Sequence, residues 1–344
     1  MKYSILAPLV LLCNTSCEET KIDSFAVVFY NVENLFDTKN DPNTYDEQFT
    51  PEGDKKWDTE KYKTKLTNLA KVISDITEGG APSFLGLCEI ENRTVLEDLI
   101  SESQLKKAHY KIVHIDSPDE RGIDVAFLYD SRIFTVTSQE AVQPDLSEFK
   151  DKTRDILHID GNLASGERLH FIVNHWPSRG GGKRESEPKR IQAAKALSRI
   201  KDKILSQNPT ANIIVMGDFN DEPSNSSISK YLGISCTPST TQPYQLFNAF
   251  CQFEKERKGS YKYRQNWNML DQIMISANLL RDSSRLHFIT ESAEIKNEDW
   301  MQQHGNKYES SPLRTFGGPN YLAGYSDHFP VSIRISVHSK GLSN

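Results

Sequence analysis

The chain has no surplus of positive charge: 41 basic residues stand against 47 acidic ones, a formal net charge of −6 over 344 residues. It therefore lacks the global basic field of a protein built to hold nucleic acid by backbone charge alone, although an enzyme that recruits a divalent ion to offset phosphate stays open. Cysteine is sparse, five in all, with no C-x-x-C spacing, which removes the usual structural zinc and redox dithiol patterns. No H-E-x-x-H helix is present to suggest a zinc hydrolase. There is no apolar run long enough to span a bilayer. No repeat, linker or low-complexity stretch divides the chain.

What the first residues do contain is an export pattern. MKYSILAPLVLLCNTSC runs from Lys2 through a short apolar stretch, interrupted by Pro8, to small residues before Cys17. Residues 1–16 read as a signal peptide to be excluded from the fold. The Thr15-Ser16-Cys17 ending resembles a bacterial lipoprotein signal, whose cysteine becomes the lipidated N-terminus, although Asn14 departs from the aliphatic residue that pattern prefers. The expectation is an exported chain anchored to the cell envelope through Cys17, with 17–21 as lipidated cysteine and polar tether, and plain secretion as the alternative. Cys88 lies in an apolar run and reads as a small buried hydrophobe. Cys236 and Cys251 share a loop-rich region in which the sequence leaves a disulfide open.

Seven segments have strand length and composition: 25–32, 83–90, 124–129, 169–176, 212–219, 271–276 and 331–337. Between them, 58–76 puts Tyr62, Leu66, Leu69, Val72, Ile73 and Ile76 on one helical face. Residues 92–103 predict a second helix, and 186–207 a third with Ile191, Ala194, Leu197, Ile200 and Ile204 as its stripe. Helices recurring among strands argue an α/β chain. Residues 22–338 read as one domain with irregular loops at 37–56 and 177–188, and 339–344 as a tail.

Polar residues cluster at the ends of these strands, where a twisted sheet forms a rim on which distant groups converge. Asn31 and Glu33 follow the first strand, and Glu89 and Glu91 the second. Arg121 and Asp124 lie at the third, Asn174 and His175 at the fourth, and Asp218, Asn220 and Asp221 at the fifth. Asp271 opens the sixth, and YSDHFP, with Asp327 and His328, precedes the last. Singly, most of these pass for polar turns. Glu89 does not, because a carboxylate ending a buried strand demands a partner or a cation. Oxygen donors without cysteine suit Mg²⁺ or Mn²⁺, the ions that assist phosphate-ester hydrolysis.

The ordered series YNVENLF, LCEIEN, RGIDVAFLYD, NHWPSR, GDFND, LDQI and SDHFP resembles the endonuclease/exonuclease/phosphatase superfamily of metal-dependent phosphoesterases, over nearly all of the mature chain. The resemblance implies a four-layer sandwich, two packed mixed β-sheets flanked by helices. It makes Glu89 the principal metal ligand with Asn31 beside it, and Asp327 a group at the metal and water side. Asp218 activates or positions the attacking water, Asn220 holds the scissile phosphate, and Asp271 orients His328, which meets the phosphate or moves a proton. His175 is the second histidine at the phosphate, Asp124 falls where a residue orienting it lies, and the phosphate contact of a tyrosine that nuclease members often carry is either missing or replaced by Arg121.

The leading expectation is an extracytoplasmic, monomeric endonuclease hydrolysing DNA or RNA. Arg179, Lys183, Arg184, Lys189 and Arg190 would meet the backbone, and Trp57, Trp176, Trp267 and Trp300 are available to stack on bases. The alternative is a phosphatase or phospholipase-like esterase for inositol phosphates, sugar phosphates or lipid head groups, with loop 296–324 as one pocket wall. A non-catalytic binding protein on the same fold is the remaining class, marked by loss of a central acid or histidine, and none is lost here.

Overall fold

The computed structural model describes residues 23–305 and 307–338; the expected signal peptide at 1–16, the expected lipidation site Cys17 and the tail after 338 lie outside them. The first strands are β1 (Ser24–Leu35), β2 (Phe84–Ile90), β3 (Tyr110–His114), β4 (Asp124–Asp130), β5 (Phe134–Val142) and β6 (Ile156–Leu163). Then come β7 (Arg168–His175), β8 (Asn212–Asp218), β9 (Leu246–Asn248), a small hairpin of β10 (Tyr261–Tyr263) and β11 (Asn266–Asn268), and β12 (Asp271–Ser276). After these lie β13 (Leu286–Phe288), β14 (Glu294–Ile295), the two-residue strands β15 (Phe316–Gly317) and β16 (Asn320–Tyr321), and β17 (Val331–Val337). The helices that pack on the sheets are α1 (Thr59–Asp75), α2 (Arg93–Ser101) and α3 (Lys183–Gln207).

The strands form two mixed sheets, ordered β13-β17-β1-β2-β4-β3 and β5-β6-β7-β8-β12-β9. Their inner faces share one apolar core that includes Phe29, Phe84 and Phe127 from the first sheet and Phe171, Ile214 and Met216 from the second. Gly86 shows how close the layers come, since a Cβ there would lie 2.5 Å from Met216 Sδ. The outer face of the first sheet buries Leu66, Leu69 and Ile73 of α1 and Leu96 and Leu99 of α2. That of the second buries Ala193, Leu197 and Ile200 of α3. Each large apolar side chain removed from water in this way contributes about 1.5–3 kcal/mol. The result is the expected four layers: helix, sheet, sheet, helix.

All seven expected strands and all three helices form. Strands β3, β5 and β6 and the shorter β9, β10, β11, β13, β14, β15 and β16 were not expected. β5 alternates weakly and is largely exposed, and β6 carries Gly161, where a Cβ would come within 2.3 Å of the Phe134 ring. The expected loop 177–188 ends early, because α3 begins at Lys183 although Pro188 lies inside it. Arg190 secures that first turn, donating from Nη2 to the Lys183 carbonyl at 2.8 Å and from Nη1 to Ser186 Oγ at 2.7 Å. Cys236 and Cys251 are joined by a disulfide, and Cys88 is buried.

Strand direction places the site. β1 and β2 are parallel, as are β7 and β8, whereas β17, β4 and β12 run antiparallel to β1, β2 and β8. The C-terminal ends of the first four strands and the N-terminal ends of the other three therefore share one rim. Asn31 Nδ2, donating to Asp218 Oδ2 at 3.1 Å, ties the two sheets together there.

Candidate active site

Register builds the centre of the rim. Asp218 ends β8 directly opposite His175 on one side and Asp271 on the other. His328, from the segment before β17, turns its Nδ1 onto Asp271 Oδ2 at 2.6 Å and stacks on Tyr261, ring centroids 4.8 Å apart. Ser260 Oγ donates to the same Asp271 oxygen at 2.5 Å. His175 Nε2 and His328 Nε2 lie 3.7 and 3.9 Å from Asp218 Oδ2. These spacings are too long for hydrogen bonds, so both nitrogens stay available to a substrate oxygen.

Burial and neighbouring charge set the protonation states. Burial, then the charge of Asp271, pushes the Asp218 carboxyl up to about 6, so it is ionised at neutral pH. For His328, burial opposes the cation, but the charge and hydrogen bond of Asp271, with Asp218 and Asp327 behind, hold its pKa well above the ordinary value. His175 goes the other way: burial, then the positive charges of Arg154, Arg121 and His328, holds it well below, and its Nδ1 is buried without a hydrogen-bond partner.

Glu89, Arg121, His175, Asp218, Asn220, Asp327 and His328 all line one cavity of about 670 Å³. Glu89 occupies a break in the β2 to β4 register with φ +64°, and Glu33, Asn34 and Asn220 also take positive φ near 50°. Such backbone is uncommon outside glycine and concentrates at functional sites. Glu89 accepts from the Asn34 amide at 2.9 Å and from Asn31 Nδ2 at 3.4 Å, and Arg121 Nη2 stands 3.8 Å away. Asp327 is met by Arg314 Nη2 at 3.4 Å. Glu89, Asp327 and Asp218 line the same cavity and offer carboxylate oxygens, the donor type that fits a hard divalent cation, while the donor atoms gathered within 4.8 Å of one another there are those of Asp218, Asp271 and His328. Asn31 turns its amide nitrogen toward Glu89 and Asp218 and its oxygen to the Glu33 amide, 2.9 Å, so in this arrangement it braces the acids rather than offering them an oxygen. Asn220 Nδ2 donates to the Trp176 carbonyl at 3.0 Å.

Asp124 is placed differently from the expectation. Its carboxylate meets His114 Nε2 at 3.0 Å and the Ser117 amide at 2.8 Å, and His175 is left unpaired at Nδ1. The turn that brings β3 into β4 puts His114 nearer than His175, and only the fold reveals that. His114, Asp116 and Asp124 bring donor atoms within 4.8 Å of one another, as do Asp218, Asp271 and His328. The first group is not part of the catalytic cavity lining.

The basic run after His175 is divided between ion pairs and the surface, with Arg184 exposed and Arg179 and Lys183 on the cavity lining. Arg190 is buried against Asp221 at 2.7 Å, Lys189 pairs with Asp151 at 2.5 Å, and Lys183 lies 3.4 Å from Glu222. Arg179 donates to the Asn220 carbonyl at 2.7 Å and to Asn268 Oδ1 at 2.9 Å. Trp57 and Trp176 are core residues, and Trp267 and Trp300 pack half-buried against the outer core.

Several site residues escaped the sequence. Lys65 on α1 is buried, donating to Thr315 Oγ1 and to the Tyr325 carbonyl, both at 2.7 Å. Burial lowers its pKa and raises that of nearby Glu33. Lys65 stands three residues after Tyr62 and one before Leu66, so helical period alone marks it as inward-facing. Buried Arg154 pairs with Asp119 at 3.0 Å and holds the Trp176 carbonyl at 2.6 Å. Neither Arg154 nor Ser260 carries a sequence signal.

The family described as "Endonuclease/Exonuclease/phosphatase family" matches residues 26–337. No curated protein matches. Among solved structures, D. rerio TDP2 complexed with single strand DNA product is similar at 12% identity and TM-score 0.56, over 91% of this chain and 99% of that one. The human Nocturnin catalytic domain with bound sulfate is similar at 16% identity and TM-score 0.56, over 92% and 96%. A mannosyl-6-phosphatase of Bacteroides thetaiotaomicron is similar at 16% identity and TM-score 0.55, over 90% and 99%. Likeness at these identities speaks to the fold, and the match over most of the chain speaks to the family. The chain belongs to the endonuclease/exonuclease/phosphatase family and is a hydrolase of phosphate esters.

Proposed function

We propose that the chain is a metal-dependent phosphodiesterase whose leading substrate is a nucleic acid strand entering the cavity singly. The observation that carries the phosphodiesterase reading is the convergence of Asp218, His175 and the Asp271–His328 pair on one cavity. Glu89 and Asp327 would hold Mg²⁺ or Mn²⁺, with Asn31 bracing them. When bound, the ion neutralises phosphate oxygens and the departing oxygen. Asp218, ionised, takes a proton from the attacking water. The water oxygen bonds to phosphorus and the bond to the leaving oxygen breaks. His328, protonated and fixed by Asp271, gives its Nε2 proton to that oxygen. His175, neutral, directs Nε2 at a phosphate oxygen from the opposite side.

A single strand is favoured because Tyr263, 56% exposed, stands on the cavity wall, where an unpaired base can stack on it. The similar TDP2 structure holds a single-strand DNA product. The second reading, a small phosphate ester, is favoured by the size of the cavity, about 670 Å³, and by the likeness to a mannosyl-6-phosphatase. Export and anchoring through Cys17 remain part of the proposal, with a monomer at the envelope. The Cys236–Cys251 disulfide supports it, since such bonds persist in oxidising compartments. Among the described residues no helix is long and apolar enough to cross a membrane.

The test is hydrolysis of bis-p-nitrophenyl phosphate with Mg²⁺ or Mn²⁺ and its arrest by EDTA. A panel of plasmid DNA, single-stranded DNA, RNA, inositol phosphates and sphingomyelin follows. Cleavage of small phosphates alone would remove the nuclease reading, and EDTA-resistant turnover would remove the metal.

A further inference from the structure

A second cavity, about 280 Å³, adjoins the catalytic one and shares Arg121 and Asp327 with it. Its walls come from segments around 48–55 and 314–318, which belong to neither main sheet, and from Glu33 and Asn34 at the end of β1. Three cations line it: Lys55, Arg121 and Arg314. Lys65 lies directly behind its wall, bonded to Thr315 Oγ1.

The two acids present are already turned to other partners. Glu33 accepts from the Thr315 amide at 2.6 Å, and Asp327 faces Arg314 at 3.4 Å. The cations keep donors in hand. Lys55 donates to the Gly318 carbonyl at 3.0 Å and Arg121 to Asn34 Oδ1 at 2.5 Å, leaving N–H groups on each. Arg121 and Arg314 each face an acid, Glu89 at 3.8 Å and Asp327 at 3.4 Å, whereas Lys55 meets only a carbonyl, and a cation so placed beside a phosphoester site suits a further phosphate or carboxylate.

We propose that this recess is a subsite for a second anionic group carried by the substrate, read by Lys55 together with Arg121 and Arg314. The proposal rests on the phosphodiesterase reading above and narrows its substrate to one bearing two anions. Such a group has two sources, the neighbouring phosphate of a nucleic acid strand or the second phosphate of a small sugar ester. Lys55 lines this recess and not the catalytic cavity.

The experiment uses the full chain with Mg²⁺ and bis-p-nitrophenyl phosphate, and measures inhibition by two matched pairs of compounds. One pair is thymidylyl-thymidine with and without a 5′-phosphate; the other is a hexose 1,6-bisphosphate and the corresponding 6-phosphate. In at least one pair the doubly anionic member should bind about tenfold tighter, the scale of one charge-assisted hydrogen bond. The pair that responds names the source. Lys55→Glu should abolish that advantage and Lys55→Arg keep it, with turnover of bis-p-nitrophenyl phosphate unchanged in both. Equal inhibition within both pairs overturns the subsite while leaving the phosphodiesterase reading intact. An advantage that survives Lys55→Glu overturns the assignment to this recess, and a chain inactive on bis-p-nitrophenyl phosphate overturns both readings.

Discussion

Two histidines face Asp218 from opposite sides, and the fold treats them in opposite ways. Both are buried, at 6% exposure for His328 and 4% for His175, so burial alone would discharge both. His328 has Asp271 at 2.6 Å and keeps its proton. His175 has no acid on Nδ1, stands near the charge of Arg154, and stays neutral. The difference teaches that charge at this site is assigned by the group behind each ring, and on the proposed mechanism it makes His328 the proton donor and His175 a directed neutral nitrogen.

Removing the neighbour that makes them unlike is the severest test. Asp271→Asn should lower kcat/KM about 10³-fold, within the ~10²–10⁴ range of general acid–base catalysis. It should also move the alkaline limb of the profile to lower pH, because His328 then loses the charge that holds its proton. The double variant Asp271→Asn with His328→Ala should be no worse than the worse single variant, since the two act as a unit. Additive losses would separate them.

His175→Ala should cost less, about 10²-fold in kcat/KM, and leave the alkaline limb where it was. A shift of that limb would mean that His175, not His328, carries the titrating proton. On the proposed mechanism the acid limb is that of Asp218. Its carboxyl is raised to about 6 by burial and by Asp271, so kcat/KM should fall as pH drops through about 6 or somewhat below, as the base gains its proton. Asp218→Asn should remove that limb along with most of the turnover, and rate profiles from pH 4 to 10 decide it.

How much of this was legible differs residue by residue. The strands that carry Asn31, Glu89, His175, Asp218 and Asp271 are buried on both faces, so their continuous apolar runs announce them. The pairing of Asp271 with His328 followed from the family pattern, and the structure brings the two together. β5 and β6 stayed hidden because an exposed edge strand and a glycine-bearing neighbour leave no such run. Lys65 and Arg190 lie on inward helical faces, where a long cation is normally read as solvated. Their partners, a pair of oxygens from 315–325 and Asp221, are supplied by tertiary structure alone. The basic run divides in a way its charges do not announce, with Arg190 and Lys189 paired to acids and Arg179 and Lys183 on the cavity lining.

Asp124 tests the contrast between the histidines most finely. If His175 truly lacks an orienting acid, Asp124→Asn should change kcat/KM less than about threefold while lowering stability by about 1–3 kcal/mol, the cost of stripping a buried hydrogen-bonded group. The loss arises because Asp124 is 3% exposed and serves His114 and the Ser117 amide. Part of it should be returned at higher pH. Burial first, and then the charge of Asp124, raises the Asp155 carboxyl to about 6, above its value in the unfolded chain. A carboxyl raised in this way costs the wild type stability as pH climbs from about 4 through 6, and without the Asp124 charge that cost shrinks. Urea unfolding at pH 5 and pH 7 should therefore show a smaller deficit at pH 7. A deficit that grows with pH would contradict the Asp155 coupling. A loss of turnover rivalling that of Asp271→Asn would return Asp124 to His175 and make the two rings alike after all.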